Sequence, residues 1–169
     1  MDIFVINRAG LSNIPSRTLL KFKKREISNE DRLNQHCQAY YLLDRILRDN
    51  YRIEDREIAF DGTRPYLKSL KKYFSLSHSA DYIALAFSDT PCGVDLEKNK
   101  KRDYVALAKR LKFDVKNEGA FYIAWTKYEA EYKMGMKSQS IKTYVLDGYY
   151  LTAVSSEIDE NFFLTFLAN

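Results

Sequence analysis

Cysteine, histidine, proline and glycine are all scarce in this chain. Its two cysteines, Cys37 and Cys92, are too few for a disulfide scaffold, and nothing resembles paired zinc-ligand spacing. Both read as buried thiols, which points to a reducing cytoplasm. With His36 and His78 as the only histidines, a histidine-rich metal cage is excluded. Three prolines and six glycines leave no room for a linker or a low-complexity tract. No glycine-rich phosphate loop and no Gly-x-Ser-x-Gly nucleophile elbow occurs, so a P-loop enzyme and a serine hydrolase of that type are not expected. The apolar runs are too short to span a bilayer. The opening residues, "MDIFVINRAG", carry an acid at position 2 and then strand-like residues, which is not the pattern of a signal peptide. No short internal repeat is evident.

What the chain does have is aromatic bulk. Thirteen tyrosines and ten phenylalanines lie within a 46% hydrophobic composition, enough for a substantial core in 169 residues. Charged residues make up 30%, with both signs mixed and a net charge of +4. The positive charge is clustered: Lys21, Lys23, Lys24 and Arg25; Lys68, Lys71 and Lys72; and Lys98, Lys100, Lys101 and Arg102. Clusters of this kind attract phosphates, nucleic acids or acidic proteins, and each taken singly is also an ordinary solvated surface.

"DIFVIN" reads as a first strand, and Ser12–Lys24 is ambiguous, with a short helix one option. From about Asn29 to Arg48, apolar residues recur at helical spacing. Asn29 is placed to cap this helix, with Glu30 and Asp31 in its first turn. "EIAF" is a short strand and "DGTRP" a turn. "YFSLSHS", "YIALAFS" and "CGVDLE" follow in quick succession and suggest a meander at the centre of one sheet. "YVALAKRLKF" and "GAFYIAWTKYEAEYKMG" are helices, the second stopped by Gly135. "IKTYVLD", "YYLTAVSS" and "FFLTFLA" are three more strands, the first two joined by a hairpin at Asp147-Gly148. Interspersed strands and helices with antiparallel-looking connections give an α+β class.

Three groups of residues could carry chemistry. In "PCGVDLEKNKKRD", Asp95 and Glu97 are two apart on a strand and share one face, while Val94 and Leu96 enter the core from the other. Two close carboxylates suit a Mg²⁺ ion, which takes one or two of them and completes its shell with water and substrate oxygens. They also suit a solvated strand end. In the second helix, Phe121, Trp125, Tyr128 and Tyr132 form one stripe. Glu129 and Lys133 lie on its edge, spaced either as an ordinary surface pair or as a third acid and a fixed cation beside the first two. In "FSLSHS", Ser77 and His78 end a strand, where the histidine could bind phosphate or satisfy a local hydrogen bond.

Taken in order, "FSLSHS", "GVDLE" and "FYIAWTKYEAEYKMG" resemble the three motifs of the 4′-phosphopantetheinyl transferases, most closely the Sfp-type branch. The resemblance covers Phe74–Gly135. It implies a single domain of two pseudo-symmetric α/β halves, about 1–85 and 86–169, with coenzyme A in the cleft between them near residues 80–95. The implied reaction moves the phosphopantetheine arm of coenzyme A to a serine of an acyl or peptidyl carrier protein and releases 3′,5′-ADP. By this resemblance Asp95, Glu97 and Glu129 hold Mg²⁺. Glu129 either only completes the metal site or also deprotonates the incoming serine, and Lys133 stands at the transferred phosphate. Ser77, His78 and Arg64 contact the coenzyme, Arg64 through "GTRPYL", which has one residue more than the family's segment. Arg32 is aligned with a further coenzyme-binding arginine. Tyr128 stands where the family has lysine, and Lys127 precedes it but points away from Glu129. The expected protein is a cytoplasmic monomer without nucleic-acid or membrane partners. Two alternatives remain open: a non-catalytic relative that binds carrier protein or nucleotide, and a metal-dependent phosphodiesterase or nuclease.

Overall fold

The computed structural model describes residues 1–12, 14, 28–54, 56–62 and 64–168. The expected short helix within Ser12–Lys24 and the basic group of Lys21, Lys23, Lys24 and Arg25 lie outside the described residues. Among those described, the chain is α+β, with three helices, a six-stranded mixed sheet and a three-stranded antiparallel sheet.

The strands are β1 (Asp2–Asn7), β2 (Ile58–Asp61), β3 (Arg64–Leu67), β4 (Lys72–Ser79), β5 (Tyr82–Ser88), β6 (Cys92–Lys98), β7 (Ser140–Leu146), β8 (Tyr149–Ser155) and β9 (Phe163–Phe166). The helices are α1 (Glu30–Tyr51), α2 (Tyr104–Leu111) and α3 (Glu118–Met134). In the larger sheet the order is β2-β3-β4-β5-β1-β9, and in the smaller β6-β8-β7. All pairings are antiparallel except that of β1 with β9.

Period-2 alternation explains how four layers stack. In β1, Phe4 and Ile6 face α1, where they meet Leu42, Leu43, Ile46 and Leu47. Ile3 and Val5 point the other way, into a second core shared with Val94, Leu96, Leu151 and Ala153 of the smaller sheet. β5 divides in the same manner: Ile83, Leu85 and Phe87 lie toward α1, Ala84 and Ala86 toward the smaller sheet. A strand buried on both faces loses the polar alternation of a half-exposed one. Burying a side chain the size of Val94 or Leu96 stabilises by about 1.5–3 kcal/mol. The smaller sheet is covered on its far side by α3, whose Phe121 and Tyr122 pack with Ala108 of α2.

Several expectations meet the structure directly. Asn29 Oδ1 accepts from Arg32 N at 2.9 Å and starts α1 as anticipated. Gly135 ends α3 in the left-handed region, φ 77°, and Gly148 turns the β7–β8 hairpin at φ 73°. The meander is corrected. β4 and β5 pair, but β6 belongs to the other sheet and pairs with β8. The short Asp89–Pro91 connection carries the chain between sheets, so adjacency in sequence becomes stacking instead of pairing. "DGTRP" is also longer structure than a turn, since Arg64 and Pro65 begin β3 and pair with β2. The last strand returns to the first sheet and lies parallel to β1. No helix among the described residues is long and apolar enough to cross a membrane.

Candidate functional site

Where the two sheets meet, a cleft of about 1200 Å³ opens between α1 and α3. His36 and Tyr40 of α1 line one wall, and Trp125, Glu129 and Lys133 of α3 line the other. Ser77, His78, Asp95 and Glu97 form the floor. Residues separated by more than fifty positions in the chain are thereby brought to one cavity. Arg64 is not among them. Its guanidinium pairs with Asp61 at 2.8 Å, a partner three residues back on the adjoining strand, and only its neighbour Pro65 reaches the cleft. Arg32 is exposed at the start of α1.

The contact that assembles this floor is a close approach of β6 to α3. A Cβ at Gly93 would stand 2.0 Å from the carbonyl oxygen of Ala130. Only glycine allows the helix to lie so near the strand, and the approach puts Glu129 and Lys133 beside Asp95. Thr126 Oγ1 fixes the same packing from within: it donates to Tyr122 O at 2.8 Å and shares a 2.7 Å bond with Thr152 Oγ1 of β8.

A second device joins the two sheets. β6 is an edge strand, and its Val94, Leu96 and Lys98 N–H groups donate to the hydroxyls of Ser75, Ser77 and Ser79 on β4, at 3.0, 3.1 and 3.0 Å. Serines at every second residue thus replace the backbone ladder that a neighbouring strand would supply. Ser77 Oγ also donates to Asp95 Oδ1 at 2.9 Å, and Ser79 Oγ to Glu97 Oε2 at 3.1 Å.

Asp95 is 5% exposed. Its Oδ1 receives both Ser77 and the Lys133 ammonium, the latter at 2.8 Å, and Lys133 Nζ also donates to Val94 O. Its Oδ2 is buried and has no hydrogen-bond partner among the described residues. Trp125 Nε1, in the facing wall, is the other such atom. Buried polar groups are nearly always satisfied, and leaving one unpaired costs about 1–3 kcal/mol. Both residues line the cleft.

Electrostatics tie the acids together. Burial, then the charges of Asp95 and Glu97, push the Glu129 carboxyl above the ordinary glutamate range against the opposing pull of Lys133. Burial, then the charges of Lys133 and Arg8, lower the His78 imidazole, so it stands neutral at pH 7 and offers a hydrogen bond, not a charge. Glu131, two residues from Glu129, turns to the loop after α3. It accepts from Ser138 N, Ser138 Oγ and Lys137 Nζ.

Among the described residues, no three His, Cys, Asp or Glu side chains are arranged to hold a metal ion together. Asp95, Glu97 and Glu129 nonetheless line one cleft, and two of their oxygens already have partners. The Lys133 ammonium occupies Oδ1 of Asp95, while Ser79, with Arg102 at 3.9 Å, occupies Oε2 of Glu97. The donors still fit a hard cation of few protein ligands, because Asp95, whose Oδ2 is buried and unpaired, lines the same cleft as Glu97 and Glu129.

The helix stripe behaves as two parts. Phe121 is fully buried and Trp125 stacks on it at 6.0 Å, whereas Tyr128 and Tyr132 are 43% and 74% exposed where α3 passes over the cleft. Lys127 is exposed and lines no part of the cleft. Of the basic groups, Lys68 pairs with Glu57, Lys72 with Asp89 and Lys98 with Asp81, while Lys100 and Lys101 face solvent. Tyr122 Oη holds this last loop by accepting from Lys100 N at 2.8 Å and donating to Lys100 O at 3.0 Å. The double role of Ser77 and the link from Ser79 to Glu97 were not read from the sequence, although the alternate serines of "FSLSHS" were the available signal. No family model matches the chain, and none of the curated proteins matches it.

Proposed function

We propose that this chain transfers 4′-phosphopantetheine from coenzyme A to a serine of an acyl or peptidyl carrier protein. One observation carries the reading: the three motifs that resemble this family, far apart in sequence, contribute Ser77, His78, Asp95, Glu97, Glu129 and Lys133 to a single cleft. The two halves of that family's fold would correspond to the larger sheet with α1 and the smaller sheet with α2 and α3. They are unequal here, with the final strand crossing back to the first half.

Asp95, through Oδ2, and Glu97 would hold Mg²⁺, with Glu129 beside them. A bound Mg²⁺ supplies positive charge to the diphosphate of the coenzyme. The carrier serine oxygen attacks the β-phosphorus. A new oxygen–phosphorus bond forms, the bond to the bridging oxygen breaks, and 3′,5′-ADP leaves. Glu129 takes the serine proton. Burial, the largest cause of its raised affinity for a proton, favours this role. Lys133 offsets charge on the phosphate oxygens, which requires its ammonium to turn from Asp95 toward the substrate. His78, neutral, donates or accepts at the nucleotide end.

A second reading, binding of carrier protein or nucleotide without transfer, is favoured by the Lys133 ammonium, which already pairs with Asp95 Oδ1 at 2.8 Å. Purified protein mixed with coenzyme A, Mg²⁺ and a panel of apo carriers separates the two. Transfer adds the mass of phosphopantetheine to a carrier, and Asp95→Ala abolishes that gain. A carrier loaded at the parent rate by Asp95→Ala, or a panel left wholly unmodified, defeats the proposal.

A further inference from the structure

The serine hydroxyls of β4 do more than join two sheets. A hydroxyl has one proton. Ser77 Oγ and Ser79 Oγ each accept a backbone N–H from β6, so that single proton is free to be aimed, and each aims it at a carboxylate. Ser77 takes Asp95 Oδ1 at 2.9 Å, and the other oxygen, Oδ2, is the buried atom left without a partner, on a residue that lines the cleft. Ser79 takes Glu97 Oε2 at 3.1 Å and leaves Oε1 outside the bond. The register matters. β4 and β6 run alongside with alternate residues facing, so serines two apart meet acids two apart, one hydroxyl to one carboxylate.

We infer that Ser77 and Ser79 are positioning residues: each clamps one oxygen of an acid, so that the free oxygens of Asp95 and Glu97 are held toward one shared cation. This rests on the proposed reading of the site as a metal–diphosphate centre, and it assigns Ser77 a role on the acids in place of direct contact with the coenzyme. Outer partners that orient carboxylate ligands typically change metal affinity about 10- to 100-fold when removed.

Ser75 provides the control within the same strand. Its hydroxyl receives Val94 N at 3.0 Å, the same backbone bond that Ser77 and Ser79 make, and among the described residues it reaches no carboxylate. A purely structural role for the three serines predicts the same behaviour from all of them. The positioning role separates them.

The experiment titrates Mn²⁺ alone into the full chain, without coenzyme A, and reads free and bound Mn²⁺ by electron paramagnetic resonance, with thermal unfolding recorded for every variant. Ser77→Ala and Ser79→Ala are expected to bind Mn²⁺ about 10- to 100-fold more weakly than the parent, and Ser75→Ala within about twofold of it. Where an alanine variant does not fold, the cysteine variant is measured in its place, since it keeps the volume and replaces the hydroxyl by a weak thiol donor. Equal affinity in all three variants, equal loss in all three, or no Mn²⁺ site in the parent overturns the inference. Carrier loading is read separately: a parent that binds Mn²⁺ through the two serine-held acids yet loads no carrier removes the proposed function and leaves this inference standing.

Discussion

Gly93→Ala tests the packing on which the whole cleft depends. The new methyl would meet the Ala130 carbonyl oxygen at 2.0 Å, against at least 3.4 Å for ordinary contact, so β6 and α3 must separate by about 1.4 Å. Neither side yields easily. The helix backbone is the clashing group, Thr126 ties that helix to Thr152, and Ala130 and Met134 are packed against Val154. Overpacking of a well-filled core costs about 1–3 kcal/mol, and a clash with backbone belongs at the upper end. At 2–4 °C per kcal/mol for a domain of this size, about 3 kcal/mol lowers Tm by roughly 6–12 °C. Separation also carries Glu129 and Lys133 away from Asp95, and a displacement near 1 Å at a reacting centre can cost about 10²-fold in rate. Gly119→Ala is the control, because the nearest atom to its new methyl is the Tyr150 hydroxyl at 3.1 Å, the far end of a side chain. Calorimetry and Mn²⁺ titration of both variants check the argument. A Gly93→Ala protein that melts within about 2 °C of the parent and binds Mn²⁺ equally well would show that the strand–helix approach does not govern the site.

Further outcomes follow from single contacts. The Glu131 carboxyl is driven up by burial but pulled lower overall by its bonds to Ser138 and Lys137. Its stabilisation is therefore present above the ordinary glutamate value of about 4.3 and lost as pH falls through the lowered value. Glu131→Gln should cost about 1 kcal/mol at pH 7, with parent and variant converging in acid when urea unfolding is followed across pH. Tyr122→Phe removes both bonds to Lys100 and should cost about 1–3 kcal/mol, with faster hydrogen exchange at the Lys100 amide; unchanged exchange there would deny the anchoring role. Lys133→Met leaves the buried Asp95 oxygen with Ser77 as its remaining donor, and should lower Tm while abolishing carrier loading, both read on one preparation.

Local elements were legible where a single periodicity or a single residue type decides them. The Asn29 cap, the Gly135 stop and the Asp147-Gly148 hairpin follow from neighbours a few residues away, and the structure has all three. The division of Val94 and Leu96 from Asp95 and Glu97 follows from strand alternation alone. The second sheet was not legible, because "YIALAFS" and "CGVDLE" look alike whether they pair edge to edge or stack face to face. That choice depends on which partner β6 finds sixty residues later in β8. The partner of Arg64 was not legible for a related reason: the sequence shows a cation, and the hairpin of β2 and β3 gives it Asp61.

By itself, the amino-acid order determined which side chains could act, since strand and helix periods put the acids, the lysine and the serines on definite faces of their own elements. Only the tertiary structure decided that those faces meet. The meeting requires a strand without a Cβ at residue 93, and hydroxyls in register with an unpaired strand edge. Both are relations between distant segments, which no local pattern encodes.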